Sequence, residues 1–190
     1  MIGPWITFCM YMAFLDLSLE QFAFNLLIYF GFGTIIAWTF IEYYFHRFEL
    51  HTEVHLDETK PSDPQQLVNI FSKHVHHHVF MNQRYRIVLD TKSYILYLGL
   101  GQAITYFLIP SAIRYLLSGS IALGSLFYDW SHLAFHFDDY MPKFLRDTYW
   151  FQSMQAAHMH HHFRDNSKEF GVTLDLWDRV YGTERKQRKA

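Results

Sequence analysis

Residues 22–51 read FAFNLLIYFGFGTIIAWTFIEYYFHRFELH, and two signals meet within them. Phe22 to Ile41 are 20 consecutive uncharged positions, about what a helix needs to cross roughly 30 Å of hydrocarbon. Glu42 then ends the run, and His46 and His51 follow within nine residues. An apolar segment that delivers histidines to its end is the unit from which the chain is built. Ser93 to Ile113 form a second long uncharged run, Tyr115 to Tyr128 a third beyond Arg114, and Met1 to Leu15 a fourth that stops at Asp16. Each shorter run faces a longer one across a short connection. The expected fold is therefore all-α and membrane-integral: four transmembrane helices in two hairpins (1–15, 22–41, 93–113 and 115–128) with a helical cap, in one domain covering 1–190.

Composition agrees. The 190 residues are 51% hydrophobic and 18% charged, yet mean hydropathy is −0.04, so apolar and polar material must be segregated. That argues against disorder and against an ordinary soluble domain. A net charge of −2 provides no basic surface for nucleic acid. The single Cys9 excludes internal disulfides and cysteine-ligated clusters within the chain, and the N-terminus lacks the order of a removable signal peptide.

Basic residues set the expected orientation, because Lys and Arg near span ends favour the cytosolic side. Residues 42–92 hold six and 129–190 hold nine, whereas the other two connections share only Arg114. The two basic segments, 113 residues together, are placed on the cytosolic face of an endoplasmic reticulum membrane if the cell is eukaryotic, or an inner membrane if bacterial.

All 13 histidines lie in these segments, within 25 positions. His132 and His136 are four apart after the last run, as His46 and His51 follow the second. His74, His77 and His78 stand at i, i+3 and i+4, and His158, His161 and His162 repeat that spacing, which on a helix puts three imidazoles on one side. Imidazole suits iron and zinc. One metal takes four to six ligands, so these ten histidines suggest two metals. His55, His76 and His160 are left over, the last two pointing away if their triplets are helical. Glu42 and Asp129, four and three residues before His46 and His132, are placed to accept a ligand's second ring proton. The closing FGVTLDLWDRVYGT, with Asp175 and Asp178 around Trp177, reads as a fold over the metal core.

The order HRFELH, HVHHH, HLAFH, HMHHH resembles the fatty acid hydroxylase superfamily, with its HX4H, HX2HH, HX3H, HX2HH pattern. EYYFHRFELH, HHHVFMNQRYRIV, YDWSHLAFH and the closing motif are similar to segments of the fatty acid 2-hydroxylase branch, from about Glu42 to Thr183. The resemblance implies a non-haem di-iron monooxygenase that uses O2 to hydroxylate an acyl chain, at C2 of a fatty acid or of a ceramide N-acyl chain. Iron is implied because zinc lacks redox chemistry, although zinc competes for the same nitrogens. Sphingolipid members of the branch commonly carry an N-terminal cytochrome b5 domain, and this chain opens on its membrane part. A separate cytochrome b5-type or other donor is the expected partner, beside the bilayer and its lipid substrate. The rival readings are a sterol C4-methyl oxidase, a sterol desaturase or a carotenoid hydroxylase and, from another class, a metal transporter. A transporter predicts acidic or histidine residues inside the spans, and the four runs contain none.

Overall fold

The structure, a computed structural model, describes residues 2–51, 77, 78, 84 and 91–185, and for 91–94 the backbone only. Among the described residues every regular element is helical, as the sequence predicts. We label them α1 (Ile2–Leu15), α2 (Leu19–Leu50), α3 (Thr91–Thr105), α4 (Ser111–His136), α5 (Lys143–Arg146), α6 (Tyr149–Phe163) and α7 (Leu176–Tyr181).

Helix α2 begins at a capping box: Ser18 Oγ accepts from Gln21 N at 3.3 Å, and Ser18 N donates to Gln21 Oε1 at 3.1 Å. This reciprocal pair satisfies donors that a helix start otherwise leaves open. The helix then passes through three π-helical stretches, Leu26–Phe30, Gly33–Trp38 and Phe45–Leu50.

Only α2 is long and apolar enough by itself to cross a bilayer, so the expectation of four spans is met by one helix among the described residues. The reasons are local. Fourteen residues carry α1 about 21 Å. Helix α3 stops at Thr105 instead of continuing to Ile113, because 106–109 turn and Pro110 lacks an N–H. Helix α4 has the length, at 26 residues, but carries Arg114 and several serines and glycines.

Contacts divide the chain into two compact units, Met1–Ile41 with Leu89–Asp129, and Glu42–Val88 with Trp130–Ala190. The first gathers the four apolar runs. Its interior is mostly small: Cys9, Ala13, Ser120 and Ala122 are fully buried, together with the larger Leu116. Many of its large apolar side chains face outward, with Leu27 79% and Phe107 89% exposed. Small inside and large outside is the packing of helices that meet in lipid, where close backbone approach replaces the hydrophobic drive. Glycines mark those approaches. A Cβ on Gly124 would lie 2.3 Å from Trp38 Cγ, and one on Gly33 would lie 1.9 Å from Ser120 Oγ. Gly124→Ala should therefore destabilise the protein by about 1–3 kcal/mol, read as a lower melting midpoint in detergent; an unchanged midpoint would refute this packing.

The second unit has an ordinary core of Tyr43, Phe135, Met141, Phe151, Phe170 and Val172, all buried, and it contains the histidines.

Candidate metal centre

Four pieces of helix supply the imidazoles. His46 lies in the π-helical end of α2 and His51 caps it. A π-turn closes i to i+5, so histidines five apart come to the same side, and their ring centroids lie 5.0 Å apart. His132 and His136 occupy one face of the end of α4 by ordinary α spacing. His77 and His78 are helical, and α6 carries His158, His161 and His162.

Nine of the ten predicted ligands form two groups. His77, His132, His136, His158 and His162 make one; His46, His51, His78 and His161 make the other. Within each, the donor nitrogens lie within 4.8 Å of one another. The tenth, His74, lies outside the described residues, as do His55 and His76. Each pair stays within one group, whereas His77 and His78 separate, and so do His158 with His162 from His161. Helix geometry permits this on α6. At about 100° per residue, His158 and His162 diverge by about 40° and His161 lies about 60° to the other side. The groups adjoin where His78 stacks on His162, centroids 4.1 Å apart.

The spacing fits metal ions. Nε2 atoms approach at 3.1 Å for His132 and His77, 2.9 Å for His136 and His158, 3.0 Å for His162 and His158, and 2.9 Å for His161 and His51. Ligands about 2.1 Å from one ion stand about 3.0 Å apart at right angles or about 3.4 Å tetrahedrally. The tautomers agree. His161 Nδ1–H donates to the Lys168 carbonyl at 2.5 Å and His46 Nδ1–H to the Phe170 carbonyl at 2.5 Å, which leaves each Nε2 lone pair facing its group. Burial, with smaller repulsion from neighbouring rings, pushes His78 down to about 2, His132 and His158 well below the usual imidazole range, and burial alone takes His136 to about 4. The rings are neutral at pH 7, the form that binds metal.

The carbonyls that orient His161 and His46 belong to the segment before α7, and two buried carboxylates hold it. Asp178 accepts from Phe170 N at 3.0 Å, Gly171 N at 2.7 Å and Thr183 Oγ1 at 2.6 Å. Glu42 accepts from Val172 N, from Thr173 N at 2.8 Å and from Thr173 Oγ1. Glu42 thus departs from its expected role. The ring proton of His46 goes to Phe170, and the carboxylate fixes the peptides beside that carbonyl, acting one step removed. Asp129 is buried on α4. The expectation that the closing motif folds over the metal core has this concrete form, with Trp150 Nε1 donating to Thr173 O at 3.0 Å as a further tie. Asp175 instead pairs with Arg179 at the surface. His160 turns from both groups to Glu169, 2.7 Å away, as its place in the triplet predicts.

Sequence reasoning missed Lys168, Phe170 and Gly171. The first two act through backbone carbonyls. Gly171 has a steric reason: a Cβ would meet Leu174 O at 2.2 Å and Asp178 Oδ2 at 2.9 Å. Gly171→Ala should cost about 1–3 kcal/mol and weaken metal retention in the four-histidine group; a variant with wild-type midpoint and metal content would refute the clamp.

The fatty acid hydroxylase family profile matches residues 31–183, and the chain belongs to that family. It is 30% identical over 150 residues to the ceramide very long chain fatty acid hydroxylase scs7 of Schizosaccharomyces pombe, covering 79% of this chain and 40% of that protein. It is 30% identical over 152 residues to fatty acid 2-hydroxylase of Homo sapiens, covering 80% and 38%. A dihydroceramide fatty acyl 2-hydroxylase of Arabidopsis thaliana is 29% identical over 160 residues, 84% of this chain and 60% of its own. The chain thus spans about two fifths of the first two relatives. The solved structure of full-length scs7p, in which only the hydroxylase domain is visible, superposes with TM-score 0.75 at 26% identity, over 96% of this chain and 63% of that one.

Proposed function

We propose that residues 1–190 form one hydroxylase domain of a membrane lipid hydroxylase, which uses O2 to hydroxylate C2 of a fatty acid or ceramide N-acyl chain. The observation that carries this reading is the pair of adjoining all-histidine groups in a chain of this family. Two iron ions are the proposed occupants. One would be held by His77, His132, His136, His158 and His162, the other by His46, His51, His78 and His161, with His74 proposed as the tenth ligand. Iron supplies the O2 and redox chemistry that a C–H bond requires and zinc lacks.

The chain's own residues do the rest. Burial keeps the imidazoles neutral, the Lys168 and Phe170 carbonyls fix two tautomers, and Glu42 and Asp178 hold those carbonyls in place. Asp129 is proposed to support His132 from the same helix. Electrons are proposed to come from a cytochrome b5-type donor outside these 190 residues. The substrate is proposed to come from the bilayer around the first unit, whose outward apolar surface and small interior support membrane placement. The bias of basic residues supports a cytosolic metal site.

Acyl hydroxylation is favoured over sterol or carotenoid oxidation because the similar proteins are named for acyl substrates. Purified protein should carry close to two metal ions per chain; folded but metal-free protein would overturn the di-metal reading. Expression in cells lacking endogenous lipid 2-hydroxylase should add 2-hydroxy acyl chains, read by lipid mass spectrometry. Oxygen gained by sterols or carotenoids with no 2-hydroxy acyl product would overturn the substrate assignment.

A further inference from the structure

Arg114 is the single basic residue outside the two histidine-bearing segments, and the structure places it in a built environment. It lies in the first turn of α4 and is 8% exposed. Its Nη1 donates to the Tyr106 carbonyl at 3.0 Å, and its guanidinium lies 4.8 Å from the Tyr106 ring centroid and 5.2 Å from that of Tyr115. Its Nε is buried without a hydrogen-bond partner. Among the described residues no carboxylate stands within ion-pair distance of it; Asp16 accepts from Ser111 Oγ instead.

Arg114 lines a groove of about 490 Å³ within the first unit, shared with Trp5, Phe8, Gln102, Phe107 and Tyr115. Gln102 Nε2 is also buried there without a partner. Two residues that each carry an orphaned N–H donor, one of them a permanent cation, therefore line a groove whose walls are mainly aromatic. Each such donor is costly to leave unmade, and the cost is removed by an acceptor that enters with the ligand. Guanidinium suits oxyanions, and the aromatic walls suit an alkyl chain.

We propose that this groove binds an anionic lipid, whose head oxyanion draws the Arg114 guanidinium and the Gln102 amide toward the groove and accepts from them, and whose first methylenes lie along Trp5, Phe8 and Phe107. Phosphodiester and fatty carboxylate heads share the required chemistry. The site is separate from the histidine groups and takes a lipid as ligand, not as the molecule oxidised. It rests on the membrane placement proposed above but not on the metals or on the reaction.

Native mass spectrometry of the 190-residue chain in detergent tests it, with three probes supplied separately: dioleoylphosphatidylglycerol, oleate, and uncharged monoolein. The wild type should retain one phosphatidylglycerol or one oleate per chain in preference to monoolein, and which anion is retained identifies the head group. Arg114→Gln should lower that retention at least about tenfold while metal content stays at the wild-type value. Gln102→Leu, which keeps the volume and removes one donor, should lower it less and guards against a folding defect in the first variant. Equal retention of monoolein and the anions, or anion retention unchanged in both variants, would overturn the proposal. Metal content and 2-hydroxy product from the same preparations report separately on the hydroxylase reading.

Discussion

His158→Ala should remove the metal proposed for the five-histidine group and abolish the proposed lipid hydroxylation, lowering metal content from about two ions per chain to about one or fewer. His158 is fully buried, and its Nε2 is the point on which His136 and His162 converge, at 2.9 and 3.0 Å. Its loss takes away a donor and opens a void among the four rings that remain. Changing a residue that merely orients a ligand typically costs 10–100-fold in affinity or activity; removing the central ligand should exceed about 100-fold. Elemental analysis with product assay checks this, and His160→Ala is the control. His160 stands two residues away but faces Glu169, so that variant should keep both metals. Loss of metal from both variants alike would mean that the helix, rather than the donor set, had failed.

Glu42→Ala has the second largest expected effect, and it acts at a distance. The carboxylate is buried and accepts from Val172 N, Thr173 N and Thr173 Oγ1. Alanine leaves these donors buried without an acceptor, at a cost of about 1–3 kcal/mol each before relaxation or water entry. A net loss of about 2–4 kcal/mol is expected, visible as a lower melting midpoint. The peptide beside Phe170 loosens with it, and the Phe170 carbonyl is what holds Nδ1 of His46. Affinity of the four-histidine group should therefore fall about 10–100-fold in chelator competition, while the five-histidine group keeps its ion. Glu42→Gln retains one acceptor oxygen and should fall between. Wild-type midpoint and affinity in Glu42→Ala would show that the clamp plays no part.

The fold was legible where pattern alone determines it. The 20 uncharged positions of 22–41 lie inside the one helix among the described residues that is long and apolar enough to cross a bilayer, and the two basic segments that the spacing set apart coincide closely with the second compact unit. Helix α3 was less legible. Its uncharged run continues through Pro110 to Ile113, but the backbone turns after Thr105, because absence of charge permits a helix without requiring one. The π-helical end of α2 was not foreseen either. It explains why a five-residue spacing works for His46 and His51, which would lie about 140° apart on an α-helix.

By itself the sequence pointed to the nine described histidines that gather, since spacing along a helix decides which side chains share a face before any partner arrives. It also determined that His160 would turn away. Only the tertiary structure decided how the triplets divide between two groups, and what receives the second ring protons of His46 and His161. Those acceptors are the carbonyls of Phe170 and Lys168, the first of them 124 residues beyond His46. Every residue carries a carbonyl, so its role leaves no mark in the choice of side chain, and its position exists only once Glu42 and Asp178 have drawn the closing segment against the histidines.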